Sequence, residues 1–493
     1  MPLKRLLLTA TIATMVVGLQ GTGSALAQPS ATTQLDLQHQ LPTIGEPADR
    51  YMSPADEMRL GTEFLRAAYR SGAILQDPEV SNYMRHLGNT LANQLEIKPF
   101  DFTFFAVEEN TINAFAIPGG YVGVHSGLIL KTENENELAA VLAHEIAHVS
   151  QRHLARRIAD MSSSQFLTLG AMLAGLLLAA GSGDRDAGNA LIFSGIGMQQ
   201  QQLINFTRSN EIEADRIGLG ILYEAGFDPS GMPSFFRTMQ RNRFGTIPEE
   251  FKYLLTHPLD NTRITEAQSR IDSLPKQRRA SSIDYLLMRA RMRALVAPDP
   301  RGLVENLEKD LAQKKNPGNT DLYGYAQALE RFGDYPRART LTTKLAASDP
   351  ENINYQLALA RIEKETGNQL QALNILKHLH TLYPDSYPAV YQYAQTLKDS
   401  KQANQGLQLL RSYLLHNPAL TVNAYKLLAD LYESDGKLID SKQNLAEYYF
   451  NSGNYSAAIF QLKQALNTPD VDFVTRAQLE KRMREIIEIT RSS

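Results

Sequence analysis

Hydrophobic positions early in the chain recur at the three- and four-residue spacing of α-helices. Ser53-Pro54 predicts a helix start, because serine caps helix N-termini and proline is favoured in the first turn. The apolar stripe that follows consists of Leu60, Phe64, Leu65 and Ala68. Asp77-Pro78 predicts a second start, followed by a stripe of the same period. Two amphipathic helices are therefore expected before residue 100.

After Asp101 the pattern changes to short runs of aromatic and β-branched residues. Three strands are expected over residues 102–107, 113–117 and 121–125, with Pro118-Gly119-Gly120 turning between the last two. A strand in this position can hold an extended peptide substrate through its backbone. The alternative is a hairpin that only covers one face of the next helix.

The next predicted helix, residues 137–150, is mostly apolar but carries two histidines and a glutamate close together. His144, Glu145 and His148 form the pattern H-E-x-x-H. Four-residue spacing places both imidazoles on one helix face, as two zinc ligands require. Glu145 follows the first ligand, where its carboxylate can reach a water at the metal. The alternative, two core histidines bonded to carbonyls, is less favoured because further candidate ligands follow.

A charge-free stretch from Met161 to Gly183 comes next, most apolar over residues 166–180. This dense part is shorter than the roughly 20 residues of a membrane span. We expect a helix that packs on the core or covers a cleft. Contact with a membrane surface or a membrane-protein partner stays an alternative.

The third metal ligand is expected in the acidic helix that Ser209 or Asn210 would cap. Glu211 and Asp215 are four residues apart and share a face, whereas Glu213 points away from it. One carboxylate of the pair can bind zinc while the other holds a ligand histidine. The alternative is a solvated acidic first turn that complements the helix dipole.

A histidine farther along the chain, His257, stands before Pro258, which favours an extended backbone. It can reach the same cleft, either as an electrophilic helper or as a fourth ligand in the water position. Arg263 is expected to steady this region.

The last third of the chain is repetitive. Pro350, Pro384 and Pro418 follow one another at 34-residue intervals, which is the two-helix tetratricopeptide period. Four to five units are expected from near Ser282 to a final charged helix at residues 478–491. Stacked units form a concave surface that binds peptides or protein partners. A purely scaffolding array is the alternative.

The N-terminal segment and the composition indicate where the protein is located and which ligands it can bind. Lys4-Arg5, an apolar run and Ala25-Leu26-Ala27 form a signal peptide, cleaved after residue 27. The chain has no cysteine, so any metal must be held by histidine and carboxylate side chains. Its net charge of −3 gives no electrostatic basis for nucleic-acid binding. Export without disulfides fits the bacterial periplasm.

Three of these segments together resemble a known family. The strand segment NAFAIPGGYVGVHSGL, the HEIAH helix and the E-x-x-A-D segment at Glu211–Asp215 are similar to gluzincin metallopeptidases of the HtpX and CAAX-prenyl-protease kind. The resemblance implies that His144, His148 and Glu211 bind one zinc ion per chain. It also implies that Glu145 is the catalytic base, that Asp215 is the companion of Glu211 and helps to orient the ligands, and that His257 lies near the catalytic water.

The expected fold class is mostly α, a gluzincin-type domain of helices and a small β-sheet followed by a tetratricopeptide α-solenoid. The boundaries are a signal peptide at 1–27, an arm or linker at 28–52, the metallopeptidase domain at 53–275 and the repeats at 282–490.

The resemblance also implies a role in outer-membrane protein quality control. The expected activity is zinc-dependent cleavage of misassembled barrel proteins or unfolded polypeptides, with the repeats holding substrates or the assembly machinery. The alternative is a chaperone-like or adaptor protein whose protease site is latent. Peripheral membrane contact is left open.

Overall fold

A computed structural model describes residues 52–159, 207–241, 252–417, 422–469 and 471–492. The predicted fold class is confirmed: helices dominate and one three-stranded sheet lies near the start. The predicted signal peptide, nearly all of the predicted arm and the apolar stretch at 166–180 lie outside the described residues. Among the helices that are described, none combines the length and apolarity needed to cross a membrane.

The first two helices begin where the sequence predicted. Helix α1 spans Pro54–Arg70, and the Ser53 hydroxyl accepts from the Asp56 backbone N–H in a capping box. Helix α2 spans Pro78–Ala92, and the Asp77 carboxylate accepts from the Val80 N–H at 3.0 Å.

The sheet contains the three predicted strands, β1 (Thr103–Val107), β2 (Ala114–Ile117) and β3 (Tyr121–His125). Strand β3 is central, parallel to β1 and antiparallel to β2. Strand β2 therefore lies at an edge of the described sheet, beside the buried helix that carries the histidines.

Four helical segments follow the sheet along the described part of the chain. Helix α3 spans Ser126–Lys131, and every residue of α4 (Glu135–Ser150) is buried. Helix α5 covers His153–Ala159 and α6 covers Arg208–Glu224. The cap of α6 is Thr207, not the predicted Ser209 or Asn210, because the helix starts one turn earlier and Thr207 accepts from the Asn210 N–H.

Three shorter helices complete this part of the molecule: α7 (Gly231–Arg241), α8 (Tyr253–Thr256) and α9 (Asn261–Asp272). Their apolar residues join α2, α4 and α6 in one buried cluster that includes Met84, Leu142, Ile217 and Phe235. This core fixes the helices that carry the candidate ligands.

Twelve helices follow within the described residues, and from α11 onward each helix packs against the next one in the chain. They are α10 (Ile283–Leu295), α11 (Pro300–Gln313), α12 (Asn319–Phe332), α13 (Tyr335–Ser348), α14 (Ile353–Glu365), α15 (Gln369–Leu382), α16 (Tyr387–Asp399), α17 (Ala403–His416), α18 (Val422–Ser434), α19 (Leu438–Asn451), α20 (Tyr455–Leu466) and α21 (Phe473–Ser492). Gly333, Gly367 and Gly436 follow α12, α14 and α18 with positive φ angles of 92°, 84° and 77°. Pro317, Pro350 and Pro384 follow α11, α13 and α15, whereas no proline stands between α19 and α20.

The repeat array contacts the preceding domain near both of its ends. At the first end, Arg291 of α10 forms a two-pronged ion pair with Asp77 at 2.6 and 3.0 Å. At the far end, Arg70 of α1 donates to the Gly453 carbonyl at 3.0 Å, and the Arg66 guanidinium lies 4.1 Å from the Phe450 ring centroid.

Candidate metal centre

Four side chains from three parts of the chain converge in the core. His144 and His148 come from α4, Glu211 from α6, and His257 from the residue after α8. One donor atom of each lies within 4.8 Å of the others, and each residue is at most 2% exposed. The sequence predicted this set, with His257 as one of two alternatives.

The donor atoms are spaced as a tetrahedral ion would need. His144 Nε2 lies 3.0 Å from His148 Nε2 and 3.3 Å from His257 Nδ1. Glu211 Oε1 lies 3.3 Å from His148 Nε2 and 3.1 Å from His257 Nδ1. Four ligands about 2.0–2.1 Å from zinc would be separated by about 3.3 Å. Three imidazoles and a carboxylate therefore fit zinc in both geometry and donor chemistry.

A glycine lets α6 approach α4 closely enough for this convergence. A Cβ added at Gly218 would lie 3.1 Å from the His144 backbone nitrogen and 3.2 Å from its Cα. Because the two helix backbones nearly touch here, Glu211, two turns earlier on α6, faces the imidazoles of α4.

Asp215 and Arg263 form a second layer around the donors. Asp215 Oδ1 lies 2.9 Å from His144 Nδ1, so this carboxylate holds the ring nitrogen that points away from the cluster. Arg263 donates to both Asp215 oxygens at 2.7 and 2.8 Å, and its third nitrogen lies 2.7 Å from Glu211 Oε2. Burial would raise the pKa of Asp215, but the Arg263 guanidinium outweighs it and lowers that pKa.

Glu145 lies beside the donors but is not one of them. It is fully buried, and its Oε1 is 3.4 Å from His257 Nε2. Burial raises the pKa of Glu145, against the opposing influence of His257 and His144. A buried carboxylate beside a metal site is suited to accept a proton and pass it on.

Two more residues, His153 and Glu213, reach the site, although no site role was predicted for them. His153 lies against His148, and Glu213 reaches His153 from the side of α6 that faces away from Glu211. Burial lowers the pKa of His153. Helical spacing could not identify His153, because α4 ends at Ser150, before it.

Comparison with known proteins places these features in a family. A profile of peptidase family M48 matches residues 78–271. The beta-barrel assembly-enhancing protease of Yersinia pestis is 32% identical over 480 residues, covering 96% of this chain and 97% of that protein. The protein of the same name from Escherichia coli strain K12 is 31% identical over 493 residues, covering 99% and 97%.

Among solved structures, a tetratricopeptide repeat protein from Parabacteroides merdae overlaps 44% of this chain and 89% of its own, at 13% identity and a TM-score of 0.28.

Proposed function

Since this chain belongs to peptidase family M48 and is a metalloendopeptidase, we propose that its metal is zinc, held by His144, His148 and Glu211. The convergence of these donors, with Glu145 beside them, is the observation that supports the assignment. Asp215 and Arg263 would orient the ligands from behind.

In the proposed reaction, bound zinc supplies Lewis-acid polarisation of the scissile carbonyl and of water. Glu145 takes the proton from the attacking water and delivers it to the leaving nitrogen. Its raised pKa and its buried position support both transfers. The edge strand β2, next to α4, would hold the substrate backbone in extended form.

We propose two states for His257. With Nδ1 among the donors, its imidazole fills the fourth position and the enzyme is latent. When substrate displaces it, the same ring can help to stabilise the developing oxyanion. The expected result of His257→Ala is faster cleavage of an unfolded protein with zinc retained. If cleavage does not rise, latency through His257 is wrong.

A role in the periplasm is supported by the names of the relatives, which are bacterial proteins of beta-barrel assembly, and by the predicted signal peptide. We propose that the enzyme cleaves misassembled outer-membrane barrel proteins and assists the assembly of others. The repeats would bind these polypeptides or their assembly machinery. Zinc-loaded Glu145→Gln protein should trap such substrates in cells, and the proteins it retains identify them.

The decisive test of the catalytic assignment is Glu145→Gln in the full-length protein. Zinc content should stay normal while cleavage of an unfolded substrate falls about 100- to 10,000-fold. Glu137→Gln, a change at another fully buried carboxylate of α4, is the matched control and should retain cleavage. Undiminished cleavage by the Glu145 variant would exclude this residue as the base.

The second candidate function is a binding protein with an idle protease site. It is favoured by one observation, the presence of His257 in the position where water would bind. Complementation decides between the two: an adaptor would keep the cell envelope intact with Glu145→Gln, whereas a protease would not.

A further inference from the structure

We propose that His153 is a positioning residue, which fixes the orientation and proton of the ligand His148 and is itself held by Glu213. The inference rests on the proposed zinc site. It concerns a layer behind that site which neither the H-E-x-x-H pattern nor the acidic helix predicts.

Contacts on both ring nitrogens of His153 carry the argument. Its Nδ1 lies 2.8 Å from His148 Nδ1, and its Nε2 lies 3.0 Å from Glu213 Oε2. His153 is fully buried, whereas the Glu213 side chain is 28% exposed. A linear series therefore runs from the protein surface to the metal centre: Glu213, His153, His148.

The atom through which His148 binds the metal determines the direction of each hydrogen bond in the series. If His148 binds zinc through Nε2, its Nδ1 carries the proton and must donate. His153 Nδ1 then accepts, so the proton of the neutral His153 ring is on Nε2 and is donated to Glu213. Each hydrogen bond has one donor and one acceptor, and only this arrangement leaves His148 Nε2 free to bind metal.

The backbone between α4 and α5 is built to place His153 there. Arg152 has a φ of 51°, a left-handed conformation that is uncommon for a long side chain. Its guanidinium is buried, donating to Glu57 at 2.7 Å and to the Met52 carbonyl at 2.9 Å. The turn that leads from α4 to His153 is thus fixed by contacts with α1 and with Met52, which precedes that helix.

The outer end of the series is also fixed. Arg156 lies 3.3 Å from the same Glu213 oxygen, and its Nε donates to the Gln151 carbonyl at 2.8 Å. Glu213 is therefore held in place by α5 and not only by its own helix.

The test compares zinc retention by full-length variants. Zinc-loaded wild type, His153→Ala and His153→Asn are challenged with a chelating dye, and zinc affinity is measured by competition. Loss of an outer-shell partner lowers metal affinity by about 10- to 100-fold, which is expected for His153→Ala. An asparagine oxygen can take the place of Nδ1 as acceptor, so His153→Asn should recover much of the affinity.

His125→Ala is the matched control, because His125 is equally buried but bonds Thr111 at 2.7 Å instead of a metal ligand. Its zinc affinity should equal that of the wild type even if its stability falls. Co²⁺-substituted protein gives a second readout: the visible ligand-field bands should shift in His153→Ala and not in His125→Ala.

Should His153→Ala fail to fold, Glu213→Ala tests the same series from its partly exposed end, and weakened zinc retention is expected there too. Wild-type affinity in His153→Ala, or in Glu213→Ala where that replaces it, overturns the positioning role. Equal loss in His153→Ala and the control also overturns it. A wild type that binds no zinc instead refutes the proposed metal centre itself, so the two failures are distinct.

Discussion

At the scale of single residues, Arg263 determines how much negative charge the site can hold. It lies between two carboxylates. It donates hydrogen bonds of 2.7 and 2.8 Å to Asp215, and its Nη1 forms an ion pair with Glu211 Oε2 at a distance of 2.7 Å. All three groups are buried. A buried ion pair stabilises little by itself, but removing one partner leaves uncompensated charge in a medium that solvates it poorly.

Arg263→Ala should therefore lower the free energy of unfolding by about 3–5 kcal/mol. Urea unfolding of the zinc-free proteins measures this without a contribution from the metal. Arg208→Ala is the control, because Arg208 is 61% exposed and pairs with the partly exposed Asp260. That variant should lose less than about 1 kcal/mol. Similar losses in both would show that burial of the Arg263 network has no special energetic role.

The sequence could predict site residues only where spacing carries information. His144 and His148 are related by a helical turn, and so are Glu211 and Asp215, so one-dimensional patterns find them. His257 was found through its neighbour Pro258, and the structure places it among the donors. His153 follows a turn whose unusual backbone angle has no sequence signature, so only coordinates could reveal its contact with His148.

At the scale of secondary-structure elements, the contact of α4 with α6 determines the geometry of the site. The two helices approach most closely at Gly218, where an added Cβ would lie 3.1–3.2 Å from the backbone of Ala143 and His144. A helix backbone cannot move aside as the end of a flexible side chain can. A larger residue must therefore separate the helices and draw Glu211 away from the imidazoles.

Gly218→Ala should destabilise the protein by about 1 kcal/mol, although alanine is the better helix former, since overpacking outweighs propensity. Gly324→Ala is the matched control in α12, where the added Cβ would meet only Ala290 at an ordinary 3.4 Å. That change should stabilise by up to about 1 kcal/mol. Thermal unfolding of both variants tests the expected opposite signs, and a stabilising Gly218→Ala would contradict the close-approach argument.

The junction of α2 with α10 gives a pH-dependent prediction. Burial would raise the pKa of Asp77, but Arg291 outweighs it, so the folded-state pKa lies below the ordinary value. Such a group stabilises the fold above its unfolded pKa of about 4, and this stability is lost as pH falls through the folded value.

Asp77→Asn keeps the helix cap and removes only the charge. We expect it to lose about 3 kcal/mol at pH 7, because it breaks a buried pair. The difference from wild type should narrow below about pH 4, as Asp77 is protonated. Urea unfolding midpoints of the two proteins from pH 3 to 7 check this. A difference independent of pH would show that the charge of Asp77 does not act through Arg291.

The elements themselves were largely predictable, because their periods and caps are local. The three strands, α1, α2 and α4 lie where apolar spacing and turn residues placed them. The predicted start of α6 was wrong. Thr207 competes with two equally good capping residues that follow it, so local sequence does not single it out.

At the scale of the whole molecule, α1 and α2 contact the repeat array at several points along its length, from α10 to α20. The α2 contact includes the Asp77–Arg291 pair and a link from Glu79 to Arg361 of α14. The α1 contact includes Arg66 over Phe450, Arg70 on the Gly453 carbonyl and a hydrogen bond between Glu63 and Tyr455. All of these contacts are polar or cation–π in character, and those of α1 join residues more than 380 positions apart.

Removing both arginines of the α1 contact should detach the far end of the array. Hydrogen exchange of the Arg66→Ala/Arg70→Ala protein should speed up in α19 and α20, while amides of α4 keep their protection. Arg59→Ala is the control, since Arg59 of α1 is exposed and pairs within its own helix. Unchanged exchange in α19 and α20 would mean that other contacts hold this end.

Closure of the array onto α1 restricts how such a protein can evolve. Gly453 has a φ of 70°, and a side chain there would place its Cβ 2.8 Å from the Arg66 carbonyl. In an open solenoid, duplicating or deleting a unit merely lengthens or shortens a rod. Here the same event would carry Phe450 and Gly453 a full helical hairpin away from α1 and break their contacts with it. The number of repeats is therefore restricted by the size of the peptidase part that they contact.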